Sequence, residues 1–279
     1  MIIGFLGKGG SGKSTLSTQF THFLNTKGSV LAIDADHNMD LTYNLGQTEK
    51  MPYIGHGLND ILDALHVEHH HTYRDIFDRD DVQPVFRLDP IDSLTNKLSV
   101  LLPNTIRLMS TGPHNDDILY GKSCSHILTT PLKVYLPLLE LRENEFVVID
   151  EKAGTDGAGT GVVTGFDIAV IAVEPTRYGI KAAMQIAEIL DFYQTPYVYV
   201  SNKIFDDEDK ALVTKELSDV VGFIPFEKSL ARTPDCLSED LHGVFEEIYT
   251  RLQEIYAQTG DTRLERTKEK FVKHKEYSQ

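Results

Sequence analysis

Residues 7 to 14 read G-K-G-G-S-G-K-S, directly after the apolar run Ile2 to Leu6. The pattern G-x-x-x-x-G-K-[ST] demands one local structure: a strand that ends in a tight glycine-rich turn and reopens as a helix. Four glycines in eight residues let successive backbone N–H groups turn inward toward an anion. Lys13 then reaches the terminal phosphates of a nucleotide, and the Ser14 hydroxyl can ligate Mg²⁺. The helix expected from Ser14 to Asn25 carries Leu16, Phe20, Phe23 and Leu24 at helical spacing and aims its positive end at the same anion. The predicted nucleotide-binding set is Gly7, Lys8, Gly9, Gly10, Ser11, Gly12, Lys13, Ser14 and Thr15. A bare glycine turn would leave the Lys-Ser pair after the last glycine unexplained.

Beyond this loop the chain alternates short apolar runs with helical spacing, which predicts an α/β fold: a doubly wound, mostly parallel sheet with flanking helices. Expected strands are Val30–Ile33, one beginning at Ile106–Met109, Phe146–Ile149, Ile168–Val173, Tyr197–Val200 and Val220–Ile224. Near-continuous apolar runs of this kind suit strands buried on both faces. Helices are expected over Gly179–Tyr193 and Val244–Tyr256. The stretch 55–104 is rich in Asp and His, lacks a strong strand pattern and reads as a helical insertion after the second strand. Residues 262–279 read as a charged C-terminal tail. With no Pro- or Ser-rich linker, residues 1–279 are expected to form a single domain.

Composition narrows the partners. Twenty-seven basic residues against 42 acidic ones give a net charge of −15. That balance opposes nucleic-acid binding, which needs clustered cations, and adhesion to anionic lipid. No 18-residue apolar run or signal peptide is evident, and two cysteines make no disulfide scaffold. A cytoplasmic protein is expected.

Lys8 follows the first glycine, and the string K-G-G-S-G-K-S resembles the "deviant" P-loop of the MinD/ParA/nitrogenase-iron-protein class of ATPases. The resemblance implies a homodimer formed on ATP, in which Lys8 crosses the interface and lends charge to the partner's reacting nucleotide. Two carboxylate segments lie at strand ends: D-A-D-H-N (34–38) and D-E-K-A-G (150–154). By resemblance, Asp36 positions the attacking water and Asp150 stands on the Mg²⁺ side. Asp34 is a second candidate for the metal shell, with an Asx turn or helix N-cap as its alternative role. Lys8, Lys13 and Asp36 are thus the expected catalytic residues, Ser14, Asp34 and Asp150 the expected Mg²⁺ set, and Gly154 a close-approach position for the terminal phosphate.

Asn202-Lys203-Ile204-Phe205 has the beginnings of a guanine-reading loop, but Phe205 stands where an aspartate would have to accept the guanine hydrogen bonds. Adenine is therefore the expected base. Asn202 resembles the family's base-contacting asparagine, with Lys203 beside it, and Pro225 and Phe226 resemble the segment bordering the base.

Within the class, D-A-D-x-N, D-E-K-A-G and the spacing to Glu174-Pro175-Thr176 are similar to the accessory ATPases of carbon monoxide dehydrogenase. That group carries Cys-x-Cys where this chain has Cys124-Ser125-His126. Its Glu-His pair and following Arg are replaced by Thr155-Asp156-Gly157-Ala158-Gly159. Two protomers would supply two thiolates and two imidazoles, a set suited to Zn²⁺ or Ni²⁺ at the dimer interface. A second metal candidate is the cluster His66, His69, His70 and His71, in which helical spacing would put His66, His69 and His70 on one face with Asp63 and Glu68 nearby; the alternative is a solvated, histidine-rich helix face. The expected function is an ATP-hydrolysing switch acting on a client protein, its output metallocentre maturation or another task that the sequence does not name. Alternatives are a positioning ATPase of the ParA/MinD type, a nucleotide-sensing regulator with little turnover, and a tyrosine kinase, whose usual tyrosine-rich tail is here reduced to Tyr277.

Overall fold

Strands buried on both faces need no polar side, and the central runs of this chain accordingly pair in parallel with every residue inside. In the computed structural model, which describes residues 1–228, 230 and 237–272, ten strands form. They are β1 (Ile2–Gly7), β2 (Ser29–Asp34), β3 (Phe86–Arg87), β4 (Ser99–Leu101), β5 (Arg107–Ser110), β6 (Leu139–Glu140), β7 (Glu145–Asp150), β8 (Ile168–Val173), β9 (Tyr197–Ile204) and β10 (Val220–Pro225). Eight make one sheet in the order β10-β9-β8-β1-β7-β2-β5-β4, parallel except for the antiparallel edge pair β4–β5. The short pair β3–β6 stands apart. All six residues of β1, β7 and β8 are buried.

Five longer helices cover the sheet: α1 (Lys13–Asn25), α2 (Arg177–Tyr193), α3 (Asp207–Glu216), α4 (His242–Thr259) and α5 (Arg263–Val272). Period-two alternation sorts the strand residues between two cores. Ile3 and Phe5 join Phe20 and Phe23 of α1 and Phe245 and Leu252 of α4 on one face. Ile2 and Leu6 join Ile180, Ile186 and Leu190 of α2 on the other. Phe20 anchors the first core, with ring centroids 5.7 Å from Phe5 and 5.4 Å from Phe245. The carboxyl ends of β1, β7 and β2 lie side by side, where an open α/β sheet receives its ligand.

Two regions differ from the sequence expectation. The 55–104 stretch does contain short helices, Leu58–Ala64, Tyr73–Phe77 and Ser93–Lys97, but it also contributes β3 and the edge strand β4. Ser99, Val100 and Leu101 pair with Met109, Leu108 and Arg107. Three residues are too few to carry an alternation, and this strand exists because β5 offers it partners.

Strand β9 runs four residues further than expected and takes in Asn202 and Lys203.

As far as residue 272 the charged C-terminal segment is a helix, α5, that docks through its charges. Arg263 is 2% exposed, pairs with Asp167 at 3.0 Å and donates to the carbonyl oxygens of Leu136 and Leu139. Arg266 donates to the Phe166 carbonyl at 2.9 Å. Residues 273–279, Tyr277 among them, lie outside the described residues.

Candidate functional site

The turn between β1 and α1 is built on two left-handed glycines, Gly10 (φ 82°) and Gly12 (φ 81°), a conformation that costs any other residue a clash of Cβ with its own carbonyl. At Gly12 a Cβ would also stand 2.3 Å from Asn202 Nδ2. The Ser11 N–H closes the turn on the Lys8 carbonyl at 3.0 Å. Lys8, Gly9, Gly10, Gly12, Lys13, Ser14 and Thr15 line an open pocket of about 400 Å³ together with Asp36, Asn38 and Lys203. Gly7 ends β1 beneath it, and Ser11 is buried within the turn. Among the described residues the Lys8 ammonium pairs with no carboxylate.

Lys13 is buried and its Nζ lies 2.6 Å from Asp150 Oδ1. Burial pulls the ammonium pKa down, but Asp150, with Asp36 and Asp34 behind it, outweighs that and holds it above its ordinary value. Lys13 therefore stays charged, ready to exchange one anion for another. The other Asp150 oxygen, Oδ2, is buried with no hydrogen-bond partner among the described residues. An orphaned carboxylate oxygen is costly unless something fills its place. Together with the Ser14 hydroxyl, 3.4 Å from Lys13 Nζ, it forms a hard oxygen set that fits Mg²⁺.

Asp34 sits opposite Asp150 in the β2–β7 register. Its pKa is pushed up to about 7, first by complete burial and then by the Asp150 charge. Its two oxygens accept backbone N–H groups, from Asp36 at 3.2 Å and from Thr42 at 2.7 Å. Asp34 thus shapes the loop after β2 in the manner of an Asx turn, with both oxygens engaged where Asp150 keeps one free of any partner among the described residues. Asp36 lines the pocket, 7% exposed, with its own Oδ1 accepting the Asn38 N–H at 3.1 Å. Gly154 (φ 78°) spends its N–H on the Gly7 carbonyl at 2.8 Å, bracing the end of β7 against the phosphate loop.

Asn202 and Lys203 are fasteners of that loop. Asn202 Nδ2 donates to Ser11 O at 2.8 Å, and its Oδ1 accepts the Lys203 N–H at 2.9 Å. Lys203, in the left-handed region at φ 65°, reaches Gly10 O at 2.5 Å and Glu174 at 2.8 Å. Ile204, Phe205 and Pro225 then line a second cavity of about 450 Å³. The ring of Phe205 stacks on that of Phe226 at 4.7 Å, both exposed. The amide of Asn202 is engaged by protein atoms, and Asp206, Asp207 and Lys210 line the cavity beside Phe205 and Phe223.

Cys124 and His126 meet directly, Sγ to Nδ1 at 2.8 Å, across the start of the turn Ser125–Thr129. Lys152, from the segment after β7, donates to Ser125 at 3.2 Å. Burial lowers the Lys152 pKa, and Glu151, Asp36 and Cys124 oppose that. Sequence reasoning passed over Lys152, which lies between the phosphate-side carboxylates and the cysteine. It also passed over Glu151, fully buried and raised to about 8 by that burial, and the stacked rings of His37 and His114, 3.9 Å apart. Glu151, Lys152 and His37 stand inside the two quoted strand-end segments, but the Lys152–Ser125 bond and the His37–His114 stack are encounters between distant segments.

The model of the CobQ/CobB/MinD/ParA nucleotide binding domain matches residues 2–237. The chain is 29% identical to an uncharacterized ATP-binding protein of Methanocaldococcus jannaschii over 255 residues, 89% of this chain and 96% of that protein. It is 26% identical to the carbon monoxide dehydrogenase accessory protein CooC of Rhodospirillum rubrum over 236 residues, 82% and 85% of the two chains. Its fold is similar to the cell division ATPase MinD of Pyrococcus furiosus (TM-score 0.60, 14% identity, 91% of this chain and 98% of that one). It is likewise similar to a plasmid partition protein of Borrelia burgdorferi bound to AMPPNP (TM-score 0.57, 16% identity, 92% and 98%). Matched over residues 2–237, its glycine loop among them, the chain belongs to the CobQ/CobB/MinD/ParA family of nucleotide-binding domains.

Proposed function

We propose that the protein is a Mg²⁺-dependent ATPase that dimerises on ATP and passes its nucleotide state to a client protein. The observation that carries this reading is the buried Lys13–Asp150 pair under a glycine loop with Asp36 in the same pocket. Terminal phosphates entering the loop take over Lys13, and Asp150 is released from it. Ser14 and the released Asp150 would hold Mg²⁺, which would supply positive charge to the terminal phosphates. Asp36 accepts a hydrogen bond from the attacking water and aligns it with the terminal phosphoryl group. Lys8, without a carboxylate partner among the described residues, stabilises the charge developing on the partner's nucleotide once two protomers face each other. The stacked Phe205 and Phe226 offer a sequence-tolerant face to the base, with adenine preferred because no carboxylate stands at position 205.

Metallocentre maturation is the output best supported. Cys124 and His126 are already in contact, soft and borderline donors suited to Zn²⁺ or Ni²⁺. Lys152, through its bond to Ser125 between them, joins this pair to the segment that carries Asp150, so loss of the terminal phosphate can loosen the grip on a metal cargo. A positioning role of the ParA/MinD type would need affinity for DNA or membrane, which the charge of −15 opposes.

Lys8→Ala tests the reading. The variant should bind Mg-ATP as the native chain does, yet lose both ATP-dependent dimerisation and turnover. Full turnover in the variant, or turnover by a strict monomer, removes the shared-lysine mechanism. No Mg-ATP binding by the native chain in calorimetry removes the whole proposal.

A further inference from the structure

We propose that the loop between helices Leu58–Ala64 and Tyr73–Phe77 is a second metal site, taking one divalent ion of the Zn²⁺, Ni²⁺ or Cu²⁺ class on Glu68, His70 and His71. The donor atoms of these three side chains all lie within 4.8 Å of one another. Glu68 Oε2 is 3.1 Å from His70 Nδ1, and the His70 and His71 rings stand 4.3 Å apart at 31°.

The loop is not the helix face expected from the His spacing. The helix closes at Leu65, and His66 reverses the chain at φ 54°. The His71 N–H then bonds to the Glu68 carbonyl at 3.0 Å, folding the stretch into a turn that brings the carboxylate under both imidazoles.

Both ends of this turn are anchored. His69 is spent on Asp63 at 2.8 Å, which ties the entry to the first helix. The N–H and hydroxyl of Thr72 both donate to Asp75 at 2.7 Å, which caps the second helix. The remaining donors, on Glu68, His70 and His71, are thereby kept within 4.8 Å of one another. Tetrahedral ligands around an ion at ~2.0–2.1 Å stand about 3.3 Å apart. Closing from 4.8 Å is a small rotamer adjustment for exposed side chains.

Two imidazoles with one carboxylate select borderline transition metals over Mg²⁺ and Ca²⁺, which prefer oxygen alone. A pocket of about 340 Å³, lined by His66, Glu68, His71 and Asp75 among others, leaves room for water or an incoming donor at the fourth position. A three-donor, open site exchanges its ion, as a loading or holding site must. It shares no residue with the Cys124–His126 contact and does not depend on the ATPase reading.

The test uses untagged full-length protein stripped with a chelator and titrated with ZnCl₂ or NiCl₂ against a chromophoric competitor, in a Cys124→Ser/His126→Ala background. One ion per chain should bind, undisturbed by millimolar Mg²⁺. Affinity should fall on the order of tenfold or more in His70→Ala/His71→Ala, and measurably in the milder Glu68→Gln. All three side chains are exposed, so circular dichroism should report an unchanged fold. The site is overturned if no ion binds in that background, or if His70→Ala/His71→Ala and Glu68→Gln leave the affinity unchanged.

Discussion

The Lys13 ammonium lies 2.6 Å from the Asp150 carboxylate, with side-chain exposures of 6% and 0%. This pair joins the start of α1 to the end of β7 across the floor of the phosphate loop. An interior pair of this kind is kept in balance by each partner, so removing one leaves the other stranded. Lys13→Ala should abolish nucleotide binding and lower folding stability by about 3–5 kcal/mol. Lys13→Ala/Asp150→Asn should recover most of the stability and none of the binding. Urea midpoints compare the two, and a double variant no more stable than the single one refutes the ion-pair account.

Asp36 lines the pocket without holding up the fold, its nearest support being the Asn38 N–H. Asp36→Ala should keep ATP affinity within a few-fold and lose about 100-fold or more in turnover. Single-turnover phosphate release reads this directly; unimpaired release would remove the water-positioning role.

Asn202 should act through the loop it fastens. Losing its bond to Ser11 should weaken ATP binding by about fivefold, the worth of ~1 kcal/mol for one hydrogen bond. Gly12→Ala should be worse, because it adds a left-handed strain of about 1–2 kcal/mol to a collision with Asn202. In the Asn202→Ala background Gly12→Ala should cost less than in the native chain. Titration with a fluorescent ATP analogue decides; equal costs in both backgrounds would mean the collision is immaterial.

Arg263 and Asp167 give the fold a pH dependence remote from the nucleotide. Burial raises the Asp167 pKa above 3.8, although Arg263 and the N-terminal ammonium pull it back. A raised carboxyl binds its proton more tightly folded than unfolded. Its contribution is complete below pH 3.8 and is lost as pH rises through the folded value. Arg263→Ala widens that window upward, so the variant should lose more stability at pH 8 than at pH 5, reaching about 3–5 kcal/mol below the native chain. Arg263→Ala/Asp167→Asn should flatten the slope. Equal destabilisation at pH 5 and pH 8 in the single variant would contradict the pairing.

Local chemistry was legible in the chain because it repeats over short distances. The glycine loop, the buried runs that became β1, β7 and β8, the α1 and α2 stripes and the strand-end placement of Asp34, Asp36 and Asp150 all follow from spacing within about fifteen residues. Family membership followed from the same stretches. Only the assembled sheet decided what each polar group does. Asp34 became a loop former because Thr42 and Asp36 present their N–H groups to it, and Asn202 became a fastener because β9 lies against the phosphate turn. The strand β4, the charged docking of α5, the Lys152 link and the Glu68–His70–His71 turn are likewise long-range or turn-dependent. Periodicity records which face of an element is apolar; it holds no record of which distant donor will meet which acceptor once water is excluded.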